Sequence, residues 1–404
     1  MGMEEYDILV IGAGPAGSTF ARVVAQEREV LVVDKRKQVG VPVRCGEGLG
    51  AREVVAQGLD LPKHVISTDI LGAKVIGPKG EKIVWKDEET KGWVLERKVF
   101  DQWLAELATK KGAKIKVYTR AIGIKRDGDG FAVTLQHGAD EPYDVKAKLV
   151  VSAEGMEAHI ARKIGFNAVH SLYDVDTCYE YEMAPYDHEN LIELYFGNGI
   201  APRGYIWIFP KADKKANVGI GIGAHLITGK KRGGLDGATP RDFLDRFIQK
   251  HKDLKDASVY NDFGGVISVG ATMDSFVKDN FMIVGTAAKQ VDPIHGGGIA
   301  LAMEASALAG NAALRGFYEK NLSADFLYRY YEKPWRETAG RKMAKRLLLR
   351  KVLEKLSDDD LSHIISTITD SDLNQVMKGN FAGPIAKAVV GRPQLLNVLS
   401  ALVG

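Results

Sequence analysis

The chain has 404 residues, 45% hydrophobic and 26% charged, with a formal net charge of +3: long enough for about two well-filled domains, and neither disordered nor fibrous. So small a charge gives no sign of a nucleic-acid partner, and no run of about 18 apolar residues could span a bilayer. With no basic, apolar, cleavable leader before the first strand, the protein is expected in the cytoplasm, and its two cysteines, Cys45 and Cys178, supply neither a zinc pattern nor a structural disulfide.

Residues 7–21, DILVIGAGPAGSTFA, run from an apolar strand into Gly12, Gly14, Pro15, Ala16 and Gly17 and then a small-residue helix. Such a turn aims free backbone N–H groups and the positive end of the helix at a pyrophosphate. A second apolar run, 30–33, ends in Asp34 followed by Lys35, about 20 residues on, where a carboxylate accepts the hydroxyls of an unphosphorylated ribose, as in FAD or NAD. After it comes the loop VGVPVRCGEGLG and a mixed region to about Trp85. A helix is predicted from Lys98 to Lys111, with Phe100, Trp103, Leu104 and Leu107 on one face, and strands at 114–120, 130–136 and 146–155, the first two joined at a DGDG turn.

Residues 166 to about 275 read mostly as antiparallel sheet. Within them LIELYFG, GYIWIFP and NVGIGIG form a meander, and period two sets Tyr205, Trp207 and Phe209 on one face of the middle strand, with Ile206 and Ile208 on the other. That aromatic face is either core or a wall for a long apolar ligand. Nucleotide-type signals return at Phe281 in FMIVGTAAKQVDPIHGGGIALAMEAS. Beyond it, eight cations between Arg336 and Lys355 alternate with apolar residues, a basic amphipathic helix that either is simply solvated or rests on an anionic membrane surface. Ser357 and Asp360 form a helix-capping pair.

The GAGPAG turn with Asp34, LERKVFDQWLAELATKKGA, VSAEG and GTAAKQVDPIHGGGI resemble the FAD-binding fold of para-hydroxybenzoate hydroxylase and its relatives. PVRCGEGL at 42–49 and PRGYIWIFP at 202–210 resemble, within that group, the geranylgeranyl reductases, above all those saturating the isoprenoid chains of archaeal ether phospholipids. The resemblance implies an α/β protein with an α+β insert: a Rossmann-like FAD-binding domain (1–60, 90–165, 276–335), an antiparallel-sheet substrate domain (61–89, 166–275) and a small C-terminal helical domain (336–404). It covers residues 1 to about 310 and implies FAD held by Gly12, Gly14, Pro15, Ala16, Gly17, Asp34 and Lys35. Further FAD contacts are Arg44, Cys45, Gly46 and Gly48 of the loop, Arg97, the backbone of Ala121 just past a strand, Thr286, Asp292, and the N–H groups of Gly298 and Ile299. Glu154 and Gly155 stand where the family has Asp-Gly, and Thr286 where it has Asp.

Hydrogenating an isolated alkene takes a hydride from reduced flavin and a proton from elsewhere. Cys45 is the catalytic candidate, as proton donor or alkene positioner, against a reading as a small packing residue. His295 is an acid candidate against a structural hydrogen bond. The expected partners are an isoprenoid lipid, an external electron donor (NAD(P)H, ferredoxin or another) and, peripherally, the inner face of a membrane, with no metal. An FAD monooxygenase of the same fold and a flavoprotein quinone oxidoreductase are the competing readings.

Overall fold

In a computed structural model describing residues 3–51, 54, 58–227, 237–377, 382–389 and 392, the first apolar run becomes β1 (Glu4–Ile11), central in an eight-stranded sheet. Ile8, Leu9 and Val10 are fully buried there, which a parallel strand covered on both faces requires. β1 lies between β2 (Val30–Val33) and β11 (Tyr143–Ser152), with Val10 opposite both Val32 and Val151. β8 (Lys114–Lys116) extends the sheet beyond β2, and β18 (Phe281–Ile283) and β17 (Val277–Lys278) beyond β11. The hairpin β9 (Thr119–Asp127) and β10 (Gly130–His137) joins along β11.

One expected strand, 114–120, is two. Tyr118 has φ 52°, a left-handed conformation that interrupts pairing, so β8 runs beside β2 and the chain then turns into β9. Ala121 therefore lies inside β9 rather than beyond a strand.

Helix α1 (Pro15–Val24) follows the first turn. A β-carbon at Gly17 would overlap the Gly12 carbonyl oxygen, so only glycine lets this helix leave the strand so tightly. α1 packs on α4 (Ile299–Tyr318), whose buried face is made of small residues such as Ala305, Ala309 and Ala313. In this way the two glycine-rich passages, distant in sequence, meet: a β-carbon on Gly285 would stand 2.9 Å from Cβ of Ala16. α2 (Arg97–Lys110) covers the same layer through Phe100, Leu104 and Ala108.

The second sheet orders β16 (Ser258–Ser268), β12 (Val175–Ala184), β15 (Lys215–Gly223), β14 (Tyr205–Lys211), β13 (Leu191–Tyr195), β5 (Gly72–Ile76) and β6 (Lys82–Lys86). One face, with Ile206, Ile208, Val218, Ile220 and Met183, forms a core under α3 (Pro240–Lys250) through Phe243 and Leu244. The other face turns toward the nucleotide-type layer. A small sheet, β3 (Gly48–Gly50), β7 (Gly92–Leu95) and β4 (Ile66–Ile70), links the two, so the segment 61–89 is shared between this sheet and the large one.

The basic C-terminal stretch is a helix packed on one side and exposed on the other. α5 (Arg341–Leu353) buries Met343, Leu349 and Arg350, and Arg336, Arg346 and Arg350 all pair with acids of the protein. α6 (Asp358–Thr367) begins at the expected Ser357–Asp360 capping box, and its Ile365 packs with Leu373 on Ile83 of β6. The last residues of the expected C-terminal domain lie outside the described residues.

Candidate functional site

At the C-terminal edge of β1 and β2 the chain forms a nucleotide cradle. Asp34, 8% exposed, accepts the Ala13 N–H through Oδ2 and the Arg36 N–H through Oδ1, both at 2.8 Å. Each oxygen retains a lone pair for a ribose hydroxyl. Gly14 caps α1 with no side-chain acceptor, and a β-carbon there would meet nothing within 4 Å, so open space faces the first N–H groups of the helix. Along the segment that follows Asp34, a cavity of about 70 Å³ is lined by Arg36, Pro42, Arg44, Arg97 and Asp101. Arg97 is neutralised by Asp101, at 2.9 and 3.0 Å, whereas Arg36 and Arg44 have no ion pair among the described residues. An open helix end, two unpaired guanidiniums and a buried carboxylate together fit an adenosine diphosphate group.

Lys35, Ala121 and Thr286 lie on segments next to this cradle. Lys35 is engaged by Glu157. Ala121 lies two residues past Thr119, whose N–H is held by the Asp34 carbonyl at 2.8 Å. Thr286 is half-buried beside Gly298, the uncapped residue before Ile299 opens α4. Glu154 binds within its own layer, accepting the Ile160 N–H at 3.0 Å.

The loop carrying Cys45 lies across the second sheet. β-carbons at Gly46 and Gly48 would stand 3.1 Å from the Phe209 ring, and that at Gly46 also 3.1 Å from Nε1 of Trp207. Tyr205, Trp207 and Phe209 share one face, as period two requires, with ring centroids 5.9 and 6.3 Å apart. The Tyr205 hydroxyl donates to the His295 carbonyl at 2.7 Å, tying this wall to the second glycine-rich passage. The wall is thus both packed and site-facing: Trp207 is 7% exposed, its neighbours only half-buried.

Behind the wall is a buried polar cluster that the sequence reading missed. Asn217 accepts the Trp207 indole N–H at 3.1 Å and donates to Glu180 at 3.0 Å and the Cys45 carbonyl at 3.4 Å. Lys211 bonds Glu47 at 2.6 Å, Glu96 at 3.2 Å and Glu182 at 3.3 Å. Those three carboxylates outweigh the cost of burial and keep Lys211 charged. Burial pushes Glu180 up to about 8, with Glu47 and Glu182 adding to the effect against Asn217 and Lys211. Burial likewise raises the Cys45 thiol, against Arg97 and the Glu47 N–H, which lies 3.2 Å from Sγ. Cys178, read as ordinary packing, sits on the same face as Glu180. The signal was in the strand itself: Cys178, Glu180 and Glu182 alternate with Tyr179, Tyr181 and Met183, and polar residues at period two share a face.

Asp292 is buried under His295, 3.1 Å away, and paired with Arg346. Burial opposes its ionisation, yet His295, Arg346 and the Ile294 N–H hold its carboxyl well below the usual range. His295 thus makes a structural hydrogen bond, while its ring stays largely exposed. Arg350 binds Asp176 at 2.8 Å and the Pro293 carbonyl at 2.7 Å. α5 therefore clamps the DPIHGGG loop to β12.

Residues 174–267 match the model of the geranylgeranyl reductase catalytic domain, and residues 5–188 that of an FAD binding domain. The chain is similar to the digeranylgeranylglycerophospholipid reductase of Methanosarcina mazei, 39% identical over 91% of this chain and 89% of the relative. That of Methanocaldococcus jannaschii is 35% identical over 98% of each. A solved geranylgeranyl bacteriochlorophyll reductase-like protein of Thermoplasma acidophilum superposes with a TM-score of 0.88 at 32% identity, covering 98% of this chain and 100% of that one. The halogenase PltM, at 16% identity and a TM-score of 0.70 over 98% of this chain and 86% of its own, shares the fold alone.

Proposed function

The chain belongs to the geranylgeranyl reductase family and is an FAD-dependent oxidoreductase that reduces the double bonds of geranylgeranyl lipid chains; we propose that Cys45 and the wall of Tyr205, Trp207 and Phe209 carry the protein's share of that chemistry. When bound, the reduced flavin supplies a hydride to one alkene carbon, and the other carbon takes a proton. An isolated alkene offers no polar handle, so the protein must orient it and exclude water.

The observation that carries this reading is the packing of Gly46 and Gly48 onto Trp207 and Phe209, because it brings Cys45 to the edge of an apolar wall suited to an isoprenoid chain. Burial keeps the thiol protonated at neutral pH, the state a proton donor needs. Arg36 and Arg44 would neutralise the cofactor diphosphate and Asp34 would hold its ribose. Replacing Cys45 with alanine tests the assignment: FAD retained, with the first saturation event slowed at least about tenfold under single-turnover conditions, supports it, and an unchanged rate sinks it.

The lipid is a phospholipid in this reading, as the names of the relatives suggest, and the electrons come from an external donor. The enzyme works at the inner membrane surface, with Arg341, Lys342, Lys345 and Lys351 toward anionic head groups. Those cations and the neighbouring Leu348 are exposed on α5, and no described helix is long and apolar enough to cross a bilayer. Sedimentation with anionic vesicles but not neutral ones supports this, and equal recovery from both counts against it.

A further inference from the structure

We propose that Glu180 is the proton store behind Cys45: its carboxylic acid refills the thiol after each double bond is saturated. This rests on Cys45 as the proton donor. The S–H bond breaks as the new C–H bond forms, leaving a thiolate. The O–H of Glu180 then breaks as S–H re-forms, leaving a carboxylate that recovers its proton from water. The electrons are those of the hydride, so the alkene is reduced, the flavin oxidised, and Glu180 only moves a proton.

The geometry supplies both ends of this path. At the inner end, Glu180 is 4% exposed and flanks the Trp207 wall across Gly219, whose β-carbon would stand 2.7 Å from Cβ of Glu180. Its one hydrogen-bond partner among the described residues is Asn217, which also reaches the Cys45 carbonyl. Once ionised, Glu180 would add to the rise of the Cys45 thiol that burial causes. At the outer end, Glu182 follows on the same face of β12, ~7 Å further along the strand. Lys211 joins Glu182 to Glu47 and Glu96, and side-chain exposure rises from 3% at Glu47 to 19% at Glu182 and 43% at Glu96. The acids beyond Glu180 thus grade from buried to partly exposed.

The groups facing Glu180 are Asn217 from β15, Trp207 and Lys211 from β14, Glu47 and Cys45 from the loop, Cys178 and Glu182 from its own strand, and Phe263 across β16. Burial and the two glutamates keep it protonated at neutral pH, as a store requires.

The test uses FAD-loaded enzyme kept reduced by excess dithionite, with a geranylgeranyl lipid whose successive saturations are resolved by quench and mass spectrometry. Glu180→Gln keeps the bond to Asn217 but holds no acidic proton, so it is expected to leave the first saturation within about threefold of wild type and slow the later ones at least about tenfold. Glu180→Asp restores part of the later rate. Later rates unchanged in Glu180→Gln, or first and later rates lost equally, overturn the proposal.

If Glu180→Gln does not hold FAD, wild type decides: the later rates must fall as pH rises through about 8 while the first does not, and the absence of that split overturns it. A readout apart from turnover is alkylation of Cys45 followed by peptide mass spectrometry, which must show an inflection near pH 8 that is missing in Glu180→Gln. Failure of the thiol assignment looks different: Cys45→Ala then keeps its first saturation, whereas loss in Cys45→Ala with a normal Glu180→Gln overturns the store alone.

Discussion

The indole of Trp207 lies against Gly219 on the neighbouring strand, where a β-carbon would overlap its six-membered ring. The close approach lets the largest side chain of the wall lie low over the sheet while its Nε1 reaches Asn217 at 3.1 Å. Glycine here makes room for the wall, since any side chain would lift the ring toward the Cys45 loop.

Gly219→Ala is therefore expected to displace the indole and disturb Phe209 beneath Gly46 and Gly48. Overpacking of this kind costs about 1–3 kcal/mol. Lipid saturation should fall at least about tenfold with FAD retained, and tryptophan fluorescence should shift. Unchanged turnover would show that the wall is core alone.

Asp34→Ala removes the carboxylate that orients the first turn. A hydrogen bond to a charged group is worth about 1.5–3 kcal/mol, so FAD affinity should drop ~10- to ~100-fold, read as loss of flavin absorbance on gel filtration. Retention equal to wild type would mean the ribose is held elsewhere.

Arg350→Met tests the clamp between β12 and the DPIHGGG loop. The variant leaves Asp176 buried without its cation, and breaking such a pair costs about 3–5 kcal/mol. A melting temperature several degrees lower is expected, while Arg341→Met, on the exposed face of α5, should leave it nearly unchanged. Equal melting of both variants would contradict the buried pairing.

Glu180 also predicts how stability changes with pH. Burial raises its folded value from 4.5 to about 8, so between these values the native state holds a proton that the unfolded chain has lost. The contribution is complete below 4.5 and gone above about 8, and stability falls as pH rises through that window. Glu180→Gln cannot ionise, so denaturant unfolding at pH 5 and pH 8 should show it gaining on wild type at up to about 1.4 kcal/mol per pH unit. Parallel pH dependence in the two proteins would refute this.

The nucleotide half was largely legible in the sequence because its signals are local. Gly12 to Gly17, the apolar run ending in Asp34 and the return of glycines at 296–298 each encode their own strand, turn or helix start. The helix at 97–110 and the capping box at Ser357 were readable for the same reason. The break at Tyr118 was not, because KIKVYTR has strand propensity throughout and only the positions of β2 and β10 decide that it must turn there. The basic helix was legible only in part: its periodicity is visible, but the partners of Arg346 and Arg350, Asp292 and Asp176, lie 54 and 174 residues away.

Contiguous residues alone encode the FAD-type turn, the family motifs and the shared face of Tyr205, Trp207 and Phe209, since periodicity and motif spacing are local properties. The folded arrangement is what brings this face to the Cys45 loop, lets Gly219 make room for Trp207, and buries Glu180 and Lys211 among acids behind it. Those relations arise where β12, β14, β15 and the 42–49 loop come together, and burial and charge are set by neighbours in space, not by neighbours along the chain.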